Sequence, residues 1–434
     1  MSNFFTNEFQ PSSSAAWKQK IQFELDGADY NQTLLTKTNE GITIKPFYHS
    51  DSFEKIQVPI IDNTFKICQS VTILNEETAN NEALTAIEKG VSAIIFNATK
   101  PFNFKIVFQN LFNKNTEFHF NFSFLSEKFI QEICEILITE TIYLNIDIIG
   151  NLAKTGNWYS NLNTDFNTLD NILKTAKPNF VISVNSEIYQ NAGANSVQQI
   201  AYGLAHANEY LNKFGGNIAQ KIQFKFAISS NYFFEIAKIR AFRYLYQLIS
   251  EQYNTSCSAQ VFVEPSFRNK TSDSYNNHVQ RFSTEFMSGI IGGANTISNN
   301  ITNKSCLQNL AILKEEFSKN NIQEITEGNY YIESLTKQIT EKALDIFKEI
   351  EKSGGFLYQL KEGIIQRKIA ENAKKEQNQF NTKELILVGS NIFKNNVEKS
   401  TIFKETSTLK NYRQTLIIPI VAKRLAAKLE QKSK

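Results

Sequence analysis

The sequence predicts an α/β fold: a (β/α)8 TIM barrel with an N-terminal arm and a C-terminal helical extension. Between about residues 68 and 300, eight short runs of β-branched or aromatic residues alternate with segments of helical period. A length of 434 residues suits such a barrel with extensions at both ends. The alternative, a doubly wound open sheet, usually carries a glycine-rich phosphate turn after its first strand, and none is present.

Strands are expected near residues 70–75, 92–97, 116–124, 141–149, 180–185, 222–229, 259–264 and 294–298. Helical periodicity predicts helices that include residues 83–89, 127–137, 168–175 and 233–252. After the barrel we expect a long helix that stops at the glycines of 353–356, a basic helix over 361–377 and a last helix over 421–434.

Several strands alternate between apolar and polar residues, which is unusual for a TIM barrel. Phe118, Phe120 and Phe122 alternate with polar residues, so the apolar set is expected to face the helices and the polar set the barrel axis. A polar axis is either a channel or a hydrogen-bonded plug. Several side chains expected to point inward are long, namely Lys225, Gln223, Gln260 and Glu264. Their length favours a plug in which the buried charge of Lys225 pairs with Asp147 or Glu264.

Composition excludes some functions. A net charge of +3, from 46 basic and 43 acidic residues spread along the chain, gives no argument for binding nucleic acid or an anionic membrane. The four cysteines lie far apart without a CxxC motif, which is typical of free thiols in a reducing compartment. Neither a secretory leader nor an apolar run of about 20 residues is recognised, so a cytoplasmic location is expected.

The segment after the fifth strand, residues 186–196, is where a barrel of this kind keeps its chemistry. Glu187 is its only charged residue, and Ser196 is a candidate cap for the following helix. Residues 190–194 (QNAGA) and the helix after them resemble the barrel domain of the methylmalonyl-CoA mutase family. In the catalytic chains of that family this loop reads HMQEAGA, and the position of its acyl-contacting His is Ile188 here.

The resemblance extends from about residue 17 to about residue 395. The resemblance is most specific in residues 231–243 (NYFFEIAKIRAFR). An amphipathic barrel helix with a Glu235–Lys238 ion pair would also explain this segment, without any functional role. Further matching segments are 17–27, 41–48, 275–293, 328–336, 353–356 and 385–391.

Three parts of the catalytic type have no counterpart: the acyl-contacting His, an RQYAGF segment before the first strand, and a cobalamin-binding domain with its DxHxxG loop. A second family histidine, after the glycines at 292–293, is also missing. The histidines of this chain are interpreted as structural or surface residues; they are His49, His119, His206 and His278.

The resemblance therefore implies the small, non-catalytic (beta) subunit of a heterodimeric bacterial methylmalonyl-CoA mutase, an isomerase of propionate metabolism. It implies no catalytic, cofactor-binding or metal-binding residue in this chain, with adenosylcobalamin held by a larger catalytic partner. One alternative is a substrate-binding barrel subunit of a split acyl-CoA mutase with a separate cobalamin chain, and another is a stand-alone CoA-binding barrel. The residues leave open whether the chain is itself an enzyme.

Three regions are expected: an arm and leading segment at 1–67, the barrel at 68–325, and a helical extension with a truncated linker at 326–434. The arm carries apolar residues in a polar setting, which predicts a contact surface for the partner, shared with the helices of 335–380. In the alternative the arm packs on its own barrel. Its apolar residues are Phe4, Phe5, Phe9, Trp17, Ile21, Phe23 and Leu25.

Overall fold

Eight parallel strands close into a barrel in the computed structural model of the chain, which confirms the predicted fold class. The structure describes residues 12–59, 64–112, 114–175, 178, 180–271, 275–299, 304–318, 325–393 and 414–432. Phe4, Phe5 and Phe9 lie outside the described residues. Two short strands before the barrel, β1 (Thr36–Lys37) and β2 (Thr43–Ile44), form an antiparallel pair.

The barrel strands follow one another around the ring in chain order, and the last pairs with the first. They are β3 (Lys66–Thr72), β4 (Ala93–Ala98), β5 (Glu117–Phe122), β6 (Ile142–Ile146), β7 (Phe180–Asn185), β8 (Ile222–Ile228), β9 (Gln260–Pro265) and β10 (Thr296–Asn299). All eight lie where the sequence predicts strands, although β3 starts at Lys66 rather than near residue 70. Strand β6 stops before residue 149 because the Asp147 side chain caps the next helix, accepting from the Gly150 N–H at 2.7 Å.

The helices α1 to α12 are α1 (Ser14–Glu24), α2 (Tyr30–Leu34), α3 (Glu76–Glu88), α4 (Phe104–Val107), α5 (Glu127–Ile136), α6 (Ile148–Thr155), α7 (Leu162–Thr175), α8 (Glu187–Ala192), α9 (Ser196–Phe214), α10 (Tyr232–Gln252), α11 (Tyr275–Gly292) and α12 (Lys304–Ser318). Helix α9 starts at the expected place, but its cap is Asn195 rather than Ser196. The Asn195 side chain accepts from the Gln198 N–H, and the Gln198 side chain accepts in return from the Asn195 N–H.

The main core lies between the barrel and its helices. The outward residues of the strands are apolar and fully buried there, as the alternation predicts; Phe96, Phe118 and Phe120 are examples. Their rings pack on one another, with centroids 6.0 Å apart for Phe96 and Phe120. Burying each such ring stabilises the fold by about 1.5–3 kcal/mol.

Two predictions about the C-terminal helices are wrong in their bounds. Helix α13 (Tyr330–Lys352) stops at the predicted glycines. The helix expected over 361–377 is α15 (Ile364–Asn381), which begins later and ends later than predicted, and a separate short helix, α14 (Phe356–Lys361), precedes it. Gly363 separates them because its φ of +70° is incompatible with a right-handed helix.

The helix expected over 421–434 is much shorter, α16 (Ala427–Lys432). Residues 414–426, here called the C-terminal strap, instead cross the carboxyl end of the barrel in irregular conformation. The Ile420 N–H donates to the Ala153 carbonyl at 2.8 Å, and the Lys423 N–H donates to the Asn191 carbonyl at 2.9 Å. Tertiary hydrogen bonds therefore override the helical propensity of this segment.

All four cysteines are free, Cys68 and Cys306 buried and Cys134 and Cys257 half-buried. Within the described ranges, no helix has both the length and the apolar character needed to span a membrane.

A buried arginine braces the seam between β9 and β10, the last two strands of the barrel. Strand β10 pairs with β9 at only two positions, Thr296–Phe262 and Ile297–Val263. Arg243 reaches into this seam from α10 and donates to the Gly293 carbonyl at 2.6 and 3.0 Å. It also donates to the Ala259 carbonyl at 2.9 Å. The guanidinium thus supplies hydrogen bonds that the short strand ladder lacks.

Arg243→Met should lower the free energy of unfolding by roughly 3 kcal/mol, because it leaves two buried carbonyl groups without these donors. Denaturant unfolding of the purified chain measures the change. The matched control is Arg367→Met, at a side chain that is 66% exposed, with an expected effect within about 0.5 kcal/mol. Equal effects of the two substitutions would contradict the bracing role.

Candidate functional site

The segment after β7 forms the short helix α8 at the carboxyl end of the barrel. Ile188 lies in its first turn and packs, half-buried, against the main core. An aliphatic side chain has neither an acidic proton nor a hydrogen-bonding group that could act on a carbonyl. The expectation that this chain has no catalytic residue at the position of the family histidine stays a prediction.

The end of α8 is covered by the C-terminal helix α15. Gly193 has a φ of +117°, and a Cβ built on it would lie only 2.5 Å from the Cβ of Ala373. The Asn372 side chain donates to the Gly193 carbonyl at 2.6 Å. Glycine is therefore required here both for its backbone conformation and for the close approach of α15.

Arg268 fastens this cover to the barrel. Its side chain forms an ion pair with Glu376 of α15 and is only 5% exposed. It also donates to the Lys423 carbonyl at 3.0 Å and to the Ala373 carbonyl at 3.3 Å. One guanidinium thus joins the loop after β9 to both α15 and the C-terminal strap.

A cavity of about 480 Å³ remains beside this cover, between the β1–β2 hairpin, the loops after β7, β8 and β9, and α15. Its lining is rich in amides and hydroxyls; the residues include Asn39, Gln190, Asn195, Gln199, Ser229, Ser230, Asn231, Ser266, Asn269, Asn372 and Gln379. Ile188 is not among the residues that line it.

The barrel axis is closed by side chains that meet from opposite strands. His119 of β5 and Phe262 of β9 have ring centroids 5.4 Å apart, although their strands lie across the barrel from each other. His119 also stacks on Tyr143 at 4.0 Å, and the Gln260 side chain donates to the Tyr143 hydroxyl at 3.3 Å. Burial lowers the pKa of His119. The predicted plug is therefore present, but aromatic rings contribute much of it.

The predicted pairing of Lys225 with Asp147 is wrong. The Lys225 ammonium donates to the Asn121 side-chain oxygen at 2.7 Å and lies 5.4 Å from the centroid of the Phe262 ring. Burial lowers the pKa of Lys225, and the charges of Glu187 and Glu264 oppose that shift. Glu264 acts on Lys225 through its charge, as Asp147 does more weakly, and the pairing of Lys225 with Glu264 stays a prediction.

Sequence analysis noted Glu187 as the only charged residue of this segment but assigned it no role. Its Oε2 atom is buried without a hydrogen-bond partner among the described residues. Burial and, less strongly, the charge of Glu264 raise the pKa of Glu187 to about 8, against the opposing effect of the Lys225 charge. Its place directly after β7, at the carboxyl end of a barrel strand, is the signal that could have identified it.

Asp147 belongs to a separate buried network. Its carboxylate accepts from the N–H groups of Gly150 and Asn185, at 2.7 and 3.0 Å. It also accepts from the Tyr210 hydroxyl at 2.9 Å, and His206 Nε2 lies 3.0 Å away. Burial raises the pKa of Asp147, but His206 and the N–H donors outweigh it, so the pKa lies below the ordinary value.

The other ring nitrogen of His206, Nδ1, lies 2.9 Å from the Tyr189 hydroxyl. Tyr189 is in α8, the helix that carries Ile188, so the network connects this helix to β6 and α9. Among the described residues, no group of three or more His, Cys, Asp or Glu side chains is arranged to hold a metal ion.

Comparison with known proteins gives one family. The family model described as methylmalonyl-CoA mutase matches residues 138–432. The chain is 27% identical over 451 residues to the methylmalonyl-CoA mutase small subunit of Porphyromonas gingivalis, covering 90% of this chain and 71% of that protein. It is 30% identical over 235 residues to the methylmalonyl-CoA mutase of Cereibacter sphaeroides, covering 49% of this chain and 33% of that protein.

A third relative is the 2-hydroxyisobutanoyl-CoA mutase large subunit of Aquincola tertiaricarbonis, 26% identical over 239 residues. That match covers 50% of this chain and 42% of the relative. The matches to the last two proteins thus span less than half of their length.

Asp147→Asn should destabilise the fold by roughly 2–3 kcal/mol at pH 7. The reason is that the Asn amide is uncharged, so it accepts weaker hydrogen bonds from Gly150, Asn185 and Tyr210 than the Asp147 carboxylate does. The pKa of Asp147 is lowered in the folded state, so this stabilisation is present above the ordinary value of 3.8 and is lost as the pH falls below it. Urea unfolding at pH 7, 5 and 3.5 measures the difference between wild type and variant. It should be equal at pH 7 and 5 and smaller at pH 3.5.

The control for this measurement is Asp170→Asn, at a side chain that is 40% exposed and pairs with Lys174 on the surface of α7. Its effect should stay within about 0.5 kcal/mol at each pH. A difference for Asp147→Asn that grows on acidification would contradict the assigned direction.

Proposed function

Because the chain belongs to the methylmalonyl-CoA mutase family, we propose that it is the small, non-catalytic subunit of an adenosylcobalamin-dependent methylmalonyl-CoA mutase. A larger partner chain carries out the isomerisation of succinyl-CoA and methylmalonyl-CoA. The observation that carries the proposal is the barrel axis, which is filled by side chains from opposite strands. The match to a protein named as a small subunit, over most of this chain, supports it.

The interior of this barrel does not fit an acyl-CoA. The family resemblance implies that catalytic chains thread the pantetheine arm along the axis between small polar residues. Here the ring contact of His119 with Phe262 and the hydrogen bond of Lys225 to Asn121 cross the same space. No step of the reaction is therefore assigned to this interior.

The histidines of the chain do not fit the role of a cobalt ligand either. His49 Nδ1 accepts from the Asp51 N–H at 3.2 Å, and His119 lies within the barrel plug. His206 is held between Tyr189 and Asp147, and His278 Nε2 lies 2.8 Å from the Thr271 carbonyl oxygen. We therefore propose that cobalamin is bound by the partner chain.

The alternative is a substrate-binding barrel subunit of a split acyl-CoA mutase. The cavity of about 480 Å³ at the carboxyl end and the match to a mutase large subunit favour it. Such a subunit must contact the acyl group, and Ile188 provides no polar group for that contact. Binding of acyl-CoA by the isolated chain distinguishes the two proposals.

We assign the partner contact to the N-terminal arm before Gly41 together with the C-terminal helices of 335–380. The proposed division of the chain is an arm and leading segment at 1–67, a barrel unit at 68–325 and an extension at 326–434. Helix α1 of this arm has no buried residue. Trp17 stacks on Phe47 at 4.6 Å, and Ser14 donates to Asp51, so the helix is held along one side. Phe23, at its end, is 84% exposed. An exposed aromatic on a helix without buried residues suits a protein interface.

The purified chain should show no mutase turnover with methylmalonyl-CoA and added adenosylcobalamin, because it offers neither an open acyl path nor a free cobalt ligand. Ile188→His should not restore turnover, since an imidazole at this position neither opens the barrel axis nor supplies a cobalamin-binding domain. A coupled assay for succinyl-CoA, with a complete mutase as positive control, measures both. Turnover by the chain alone would overturn the non-catalytic assignment.

Co-expression with the longer mutase homologue of the same genome should give a one-to-one complex on size exclusion, with an interface of more than about 2,000 Å². Deleting residues 1–30, or substituting Phe23→Ser, should weaken that complex by at least about tenfold in Kd, as expected for loss of aromatic anchors.

The matched control is Ile138→Ser, at an apolar side chain that is 63% exposed between α5 and β6, and it should leave the affinity unchanged. Separate elution of the two wild-type chains contradicts the partnership. Unchanged affinity after the deletion contradicts only the role of the arm.

A further inference from the structure

A cluster of ionisable side chains lies at the carboxyl end of the barrel axis and is not used by the proposed function. Lys225 projects from β8, and Glu264 lies in the neighbouring strand β9, two positions beyond Phe262, the register partner of Lys225. Glu187 is the first residue of α8, directly after β7. Three adjacent strands therefore direct an amine and two carboxyl groups to the end of the barrel where chemistry is usually located.

Lys225 is buried but lies one side chain below the surface. It is 4% exposed, and its ammonium donates to Asn121, which is half-buried. Asn121 in turn donates to Asn97 at 2.9 Å, and Asn97 donates to Ser70 at 2.8 Å. A small polar molecule that displaces the Asn121 amide from this end of the barrel therefore meets the Lys225 nitrogen.

Glu187 has the properties of a proton donor at neutral pH. Its Oε2 is buried and has no hydrogen-bond partner within the described ranges, and burial raises its pKa to about 8. The charged and titratable groups that act on Glu187 or Lys225 are Glu264, Lys154, Cys68 and Asp147, besides the pair itself. Burial thus favours the neutral form of both groups: the carboxylic acid of Glu187 and the amine of Lys225.

We infer that Lys225, Glu187 and Glu264 form a reactive-amine site that takes a small, uncharged hydroxy-aldehyde or hydroxy-ketone as a Schiff base on Lys225. A buried amine next to a carboxylic acid is the arrangement that forms such adducts with carbonyl compounds. The amides of Asn97 and Asn121 and the hydroxyl of Ser70 suit the hydroxyl groups of the ligand. The Phe262 ring under the Lys225 ammonium, in contact with His119, limits the ligand to a few carbon atoms.

The step balances with the groups present. The lone pair of neutral Lys225 forms a bond to the carbonyl carbon, while the carbonyl π pair moves to oxygen, which takes the proton of Glu187. Glu187 then receives a proton from the nitrogen and returns it to the new hydroxyl. Water leaves as the nitrogen lone pair forms the double bond, which gives a protonated imine beside the Glu187 carboxylate.

The test treats the full chain with glycolaldehyde and sodium cyanoborohydride, which reduces the imine to a stable secondary amine, and maps labelled lysines by peptide mass. Lys225 should be labelled faster at pH 7 than Lys128, whose side chain is 89% exposed. Pyridoxal 5′-phosphate, which is larger and charged, should label Lys128 but not Lys225. Absence of glycolaldehyde label on Lys225 overturns the inference.

The pH profile separates this site from an ordinary accessible lysine. Labelling of Lys225 should fall above about pH 8, because ionisation of Glu187 removes the proton donor and stabilises the ammonium form of Lys225. Labelling of Lys128 should instead rise with pH as exposed amines lose their protons. Parallel profiles for the two lysines contradict the role of Glu187.

Glu187→Gln should slow labelling of Lys225 at pH 7 by at least about tenfold and remove the fall above pH 8. Glu132→Gln, at a side chain that is 46% exposed, is the control and should change neither. Glu187→Asp keeps the carboxyl group and replaces the Gln variant if that variant does not fold. The experiment uses the chain without a partner, so its result does not depend on the proposed mutase assembly.

Discussion

The need to fill the barrel axis with side chains that satisfy one another is the constraint on which the rest of this structure depends. Eight strands leave an interior just wide enough for inward side chains from opposite strands to touch. His119 meets Phe262 across that space, and Lys225 meets Asn121. Because these contacts occupy the centre of the barrel, any ligand chemistry is confined to its carboxyl end. The axis of this barrel is therefore filled rather than open.

At that carboxyl end, the position of helix α8 is set by buried polar contacts rather than by apolar packing alone. The Asp147 carboxylate accepts hydrogen bonds from groups of α6, β7 and α9. His206 lies between Asp147 and Tyr189 and so links this network to α8. Arg268 and Asn372 hold α15 over the end of the same helix. The loop that resembles a catalytic loop is therefore fixed on both sides, although Ile188 gives it no chemistry.

The sequence predicted the barrel, the place of its strands and, for β5, β6 and β8, which side chains face the helices, because these depend on local periodicity. It did not predict which inward side chains meet. Lys225 was expected to pair with Asp147, but its partner Asn121 lies three strands away around the ring, and periodicity carries no information about distance across a barrel. The raised pKa of Glu187 depends on burial by distant segments, and the strap of 414–426 follows its tertiary hydrogen bonds rather than its helical propensity.

The C-terminal strap also has a consequence for how the chain reaches its native state. Arg268 donates to the carbonyl of Lys423, a residue 155 positions later in the sequence, and α15 and the strap both follow all eight barrel strands. Closing so long a loop is entropically costly and slow compared with pairing neighbouring strands. On the ribosome, the barrel can therefore assemble with its carboxyl end uncovered, and the cover is added only when the last segment emerges. During that interval the part of the main core that Ile417 and Ile420 complete is exposed to solvent.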